Sequence, residues 1–173
     1  MANPCTLSRG DSLIVCSDLN NFSDYEDQLF LIFKNLYENN SITYNGFPVK
    51  MKHYPPDYGE RSGFYHLTCE NYQHTGSEED RYPDLRRCER IKWAETILTS
   101  CSGACINLLI WENRRNNRQN ILLFCPEVDY LVVLGKRNGY LLLITAYPVS
   151  YPNRRKDLLR EYEQYKKQTT HPV

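Results

Sequence analysis

Four groups of residues in this 173-residue chain have the types and spacing to do chemistry. The first is a histidine in an apolar run, Phe64-Tyr65-His66-Leu67-Thr68. An imidazole titrates near neutral pH and is the natural proton acceptor for a general-base step. The same residue would serve equally as a core histidine bonded to backbone. His53, His74 and His171 fall in loops or at the terminus and carry little weight. The second group is Arg86, Arg87, Arg90 and Lys92. Arg86 and Arg90 stand one helical turn apart with Arg87 close by, a guanidinium face that could clamp phosphate bidentately or simply be solvated. The third is Thr145 and Tyr147, two apart on a predicted strand and so on one face, where hydroxyls could touch a phosphate or merely line the sheet. The fourth is the polar loop 112–120, in which Arg114, Arg115 and Arg118 form a basic finger.

Other chemistries have little support. Cys101 and Cys105 form a lone C-x3-C without a second ligand pair at zinc spacing, so no metal is expected. Asp18 and Asp24 are isolated rather than part of a magnesium-binding cluster. No P-loop, dinucleotide fingerprint, nucleophile elbow or H-E-x-x-H occurs, and no cofactor is expected. The seven cysteines are odd in number and scattered, as in reduced thiols of a cytoplasmic protein. No window of 18 apolar residues exists, and the N-terminus lacks a signal pattern, so neither membrane nor export is expected.

The elements that would position these residues can be read from periodicity. Ser23-Asp24-Tyr25-Glu26 has the form of a capping box opening a helix whose apolar stripe is Tyr25, Leu29, Ile32, Phe33 and Leu36, ending at Asn39-Asn40. Residues 42–54 look extended but broken by Gly46 and Pro48. Pro83 starts a second helix running to Leu98, with Asp84 complementing its dipole. Apolar blocks at 106–111, 121–125, 130–134 and 140–147, joined by short connections, predict four consecutive antiparallel strands. A final amphipathic helix spans Arg154–Gln168, with Leu158, Leu159, Tyr162 and Tyr165 toward the sheet. The expectation is one α+β domain over 1–173: N-terminal helices packed on a four-stranded antiparallel meander, with a C-terminal helix and tail at 152–173. Residues 1–22, with a short apolar run at Ser12–Cys16, form an N-terminal edge strand or a mobile segment.

The composition bounds the class. An apolar fraction of 41%, with 8 Gly and 9 Pro, excludes a low-complexity chain. Lys+Arg and Asp+Glu both total 21, yet residues 1–80 hold 5 cations against 12 carboxylates and residues 81–173 hold 16 against 9. Such halves either attract each other and pack, or set a basic nucleic-acid face beside an acidic segment. With a sequence pI near 6.9, any nucleic acid would be held at a patch.

The segments Phe64-Tyr65-His66-Leu67-Thr68, Asp84-Leu-Arg-Arg-Cys-Glu-Arg-Ile-Lys-Trp93 and Leu143-Ile-Thr-Ala-Tyr-Pro148, with the meander, resemble the barnase–EndoU–colicin–RelE-like (BECR) nuclease superfamily over residues 25–150. The resemblance is closest to its phage- and toxin-associated branches. It implies a metal-independent endoribonuclease of toxin or phage–host conflict type, acting in the cytoplasm on single-stranded or looped RNA, with an antitoxin or immunity protein as partner. His66 would be the general base, Arg86 or Arg90 the phosphate stabiliser, and Tyr147 or Thr145 the group orienting the phosphate. Arg87, Lys92, Arg114, Arg115 and Arg118 would bind substrate. The competing expectations are an inhibitor or adaptor that docks on a host protein through Glu70, Glu78, Glu79 and Asp80, and an inactive nuclease fold that only binds RNA.

Overall fold

The structure, a computed structural model, describes residues 13–39, 41–53, 56–72, 80–101 and 107–170, together with Leu7, Thr75 and Ser77. The expected helix begins at Phe22 rather than at a Ser23 cap, giving α1 (Phe22–Phe33). Asp18 caps a preceding 3-10 turn instead, its Oδ1 accepting from Asn20 N at 2.9 Å, so the chain is already helical when it reaches Ser23. A π-helical turn, Lys34–Glu38, continues α1. The run ending at Cys16 is not a strand; Ile14 N donates to Glu89 O at 2.9 Å.

The four-stranded antiparallel sheet expected from the sequence is contradicted. The meander is present as β5 (Leu109–Arg115), β6 (Arg118–Cys125), β7 (Tyr130–Arg137) and β8 (Tyr140–Pro148), but it belongs to a curled, mixed sheet of six strands in the order β1-β2-β8-β7-β6-β5. The two extra strands are the hairpin β1 (Thr43–Tyr44) and β2 (Phe47–Lys50). Its turn is Asn45-Gly46, both at positive φ (50° and 81°), the two-residue geometry that an Asn-Gly pair favours. The glycine that reads as a break in the sequence is therefore the reversal between two strands. β2 then lies parallel to β8, pairing Val49 with Leu141 and Lys50 with Leu142, because the long intervening chain supplies the crossover a parallel return requires.

Helices cover both faces of the sheet. Leu123, Val132, Leu134, Leu143 and Ala146 share a core with Leu29, Phe30 and Phe33 of α1 and with Phe64 of α2 (Ser62–Thr68). On the other face Trp111, Leu122, Phe124 and Leu131 pack against Leu158 of α5 (Pro152–Thr170). Leu159, Tyr162 and Tyr165 join that cluster, as the amphipathic stripe predicts. Glu161 ties α5 to β5, accepting from Trp111 Nε1 at 3.2 Å and Asn113 Nδ2 at 2.5 Å.

The helix expected over 83–98 is two helices, α3 (Leu85–Glu89) and α4 (Trp93–Thr96), followed by a π-helical turn at Ile97–Cys101. The break has a specific cause. In a continuous helix Glu95 N would donate to Ile91 O; instead the Tyr37 hydroxyl accepts from Glu95 N at 3.2 Å and donates to Ile91 O at 2.5 Å. A hydroxyl inserted into the ladder bends the chain. The bend admits both Ile91 and Trp93 to the core, where Trp93 meets Tyr130 edge-on at 5.2 Å. Tyr37→Phe removes that bridge from a fully buried site and is expected to destabilise the fold by about 1–3 kcal/mol, measured by urea unfolding.

Candidate functional site

β8 is the strand around which the site forms. β7 pairs with it from Tyr140 to Pro148, whereas β2 pairs with Leu141 and Leu142 alone. Beyond Leu142 β8 has no partner strand on the β2 side among the described residues, and α2 and α3 both contact β8. A bulge interrupts the β7 register between Val133 and Leu134, so that Thr145 opposes Val133, Leu143 opposes Leu134 and Ile144 is the extra residue. Gly135 makes room for it, since a Cβ there would lie 2.7 Å from Ile144 Cδ1.

His66 lies on α2, whose rotation is set by Phe64 between Phe30 and Phe33 (ring centroids 5.4 and 5.7 Å). Its imidazole bonds to the main chain at Ile144, in a sense that favours the protonated ring, as donation to a carbonyl does. The other ring nitrogen, Nδ1, is buried and has no partner. Arg81, on β4 (Arg81–Pro83), which pairs with β3 (Cys69–Asn71), donates from Nη2 to His66 O at 3.2 Å and Cys69 O at 2.6 Å, holding the carbonyls at the end of α2. Burial pushes the His66 pKa down to about 3, and the positive charges of Lys52, Arg81 and Arg87 act in the same direction.

Asp84 caps α3, accepting from Arg86 N at 2.9 Å and from the Arg86 guanidinium at 3.0 Å. Burial opposes ionisation of Asp84, but the Arg86 hydrogen bond and a second from Glu70 outweigh it and lower the pKa. Burial raises the Glu70 pKa, and the hydrogen bond to Asp84 raises it further, so within the pair Glu70 keeps the proton more readily. Arg87 runs the other way from α3. Its guanidinium lies 5.0 Å from the Tyr147 ring centroid and its Nε 3.9 Å from Glu70 Oε2, with a side chain only 10% exposed. Arg87 Nη1 is buried without a partner. The Tyr147 hydroxyl accepts from Arg154 Nε at 3.3 Å.

The fold therefore brings His66 to the Ile144 main chain and Arg87 to Tyr147, three residues further along the same strand, with His66 feeling the Arg87 charge and Thr145 one residue past Ile144. Arg86 is bound to Asp84, and Arg90 is occupied by Glu89 (3.3 Å) and the Trp93 ring (5.0 Å). Lys92 is half-buried in the turn between α3 and α4. Arg114, Arg115 and Arg118 are remote from His66, at the β5–β6 turn. Lys52, Arg81 and Arg154 were missed from sequence; none stands in a motif, and only the folded chain places them beside His66 and Tyr147. Cys105, Glu78, Glu79, His74 and His171 lie outside the described residues. Among those described, no three His, Cys, Asp or Glu side chains gather as a metal site, and no helix is long and apolar enough to cross a membrane. Comparison with protein-family models, curated proteins and solved structures finds no match.

The low His66 pKa has a consequence for stability. Folding depresses it below the unfolded value near 6.5, so between these values the unfolded chain binds more protons and stability rises with pH. This contribution is present at pH 7 and is lost as pH falls from about 6.5 toward 3. In His66→Asn the acid limb of the stability–pH curve, measured by urea titration, is expected to flatten over that window relative to wild type.

Proposed function

We propose that this protein is an endoribonuclease that cleaves RNA without a metal ion. The observation that carries the reading is the pair of unused groups at the bulged edge of β8: the lone pair of His66 Nδ1 and a donor on Arg87 Nη1. The Ile144 bond fixes the imidazole tautomer and leaves Nδ1 to accept a proton. In the proposed step Nδ1 takes the proton of a ribose 2′-OH, and the 2′-oxygen forms a bond to the adjacent phosphorus. Arg87, supported by the Arg81 and Lys52 charges, stabilises the phosphorane oxygens. The P–O5′ bond then breaks, and the leaving 5′-oxygen takes the proton back from His66. The products are a 2′,3′-cyclic phosphate and a 5′-hydroxyl. Tyr147, held between Arg87 and Arg154, orients the phosphate.

A pKa near 3 makes His66 a weak base before substrate binds. Three cations produce part of that depression, and a bound phosphate would offset their charge and raise the value. Nδ1 is buried, so the groups over it part when the substrate binds. The low pKa favours one second reading, a fold that binds RNA without cutting it. The biological setting implied by the motif resemblance, a cytoplasmic toxin held by an antitoxin, belongs to the same proposal.

Incubation with total RNA in EDTA, read on a gel, separates the readings. Cleavage by wild type and a loss of about 100-fold or more in His66→Ala is expected. Intact RNA with wild type, accompanied by a mobility shift, would instead establish the binding reading. Arg87→Ala should lower the cleavage rate by roughly 100- to 1,000-fold. Induced expression of wild type, but not of His66→Ala, should arrest cell growth if the toxin setting holds.

A further inference from the structure

The topology gathers a second group of charges away from His66. The turns at Asn45-Gly46, Asn116-Asn117 and Asn138-Gly139 all lie at the same end of the sheet, because β1–β2, β5–β6 and β7–β8 reverse there. Between the last two turns is a pocket of about 560 Å³ lined by Arg114, Asn117, Arg118, Gln119, Lys136 and Arg137, with no carboxylate among them. Lys136 is paired to Glu112 at 2.6 Å, and Arg137 Nη1 donates to Lys136 O at 2.8 Å. Among the described residues no carboxylate pairs with Arg114 or Arg118.

Lys136 and Arg137 also line a second pocket, of about 230 Å³, whose wall includes Phe47 and Tyr140. The β2–β8 register, extended two residues, sets Phe47 level with Gly139, beside the turn. Phe47 is 50% exposed although it sits on an ordered strand. Tyr140 carries the Lys50 ammonium 4.7 Å from its ring centroid.

We infer that this turn end is a binding site for single-stranded nucleic acid, with a backbone phosphate in the Arg114–Arg118–Arg137 pocket and a neighbouring base stacked on Phe47 beside Tyr140. Cations with no carboxylate to neutralise them attract any polyanion, but a stacking platform joined to them through shared lining residues matches an unpaired base next to its phosphate. Duplex, whose bases are already stacked, gains only the charge term. At about 3.3 Å per residue and 4.8 Å per strand, the pocket is on the order of 20 Å from the β8 bulge, a span of a few nucleotides. The inference deepens the ribonuclease proposal by naming the surface that would hold the strand, yet uses none of its catalytic residues.

The test is fluorescence anisotropy of the full chain with a labelled 2′-O-methyl RNA octamer, which binds but cannot undergo 2′-oxygen attack. Phe47→Ala should weaken binding roughly 5- to 150-fold with an unchanged salt slope, and Phe47→Trp should restore it. Arg114→Ala with Arg118→Ala should weaken binding and reduce the slope of log affinity against log salt by about 0.7 for each phosphate that the variant no longer neutralises. Phe47→Ala binding like wild type, a salt slope unchanged in the arginine variant, or tighter binding of duplex than of single strand would each overturn the inference. Because the probe is uncleavable, failure here leaves the cleavage test intact, and failure to cleave leaves this result intact.

Discussion

The unequal pairing of β8 is the constraint on which the rest of the structure depends. Its nine residues give one edge to β7, interrupted only by the bulge at Ile144, and the other to β2 at only two positions. Backbone groups left on a buried strand edge need partners, and leaving them without any is costly. Here α2 and α3 contact β8, and the His66 imidazole bonds to the bulged Ile144 main chain. The site's burial and the depressed histidine pKa follow from the same arrangement. A histidine that completes a sheet edge is removed from water by that role.

Charge is distributed so that two cation-rich regions coexist in a chain with no net charge. Glu70 and Asp84 offset Arg86 and partly offset Arg87, while Glu112 and Glu161 hold Lys136 and Arg115 near the turn end. Glu70 pairs with Arg86 and Arg87 across the boundary between the acidic first half and the basic second. Apolar packing on one sheet face joins residues of both halves, whereas the face under α5 is built from the second half alone.

Much of the architecture was legible in residue order. The meander could be read because each strand is a β-branched, leucine-rich or aromatic block separated by a connection too short for anything but an antiparallel return. The last helix could be read because Leu158, Leu159, Tyr162 and Tyr165 repeat at helical spacing. The β1–β2 hairpin was missed because two- and four-residue strands carry almost no periodicity, although Asn45-Gly46 was a turn signal in plain view. The division of the second helix was invisible locally, since the hydroxyl that causes it belongs to Tyr37, more than fifty residues earlier.

For the candidate site, residue types and spacing by themselves determined that a histidine, an arginine cluster and a Thr-x-Tyr pair were available. They could not choose among the arginines. Arg86, Arg87 and Arg90 are alike in sequence, and their partners differ only because α3 stops after five residues and turns Arg87 toward β8. Nor could they show that Arg114 and Arg118 would gather with Lys136 and Arg137 at the turn end rather than beside His66, since that depends on strand order. Local sequence determines which groups exist and which short elements carry them. Tertiary structure alone decides which become neighbours, because burial, charge and unmet hydrogen bonds arise only when distant segments close on one another.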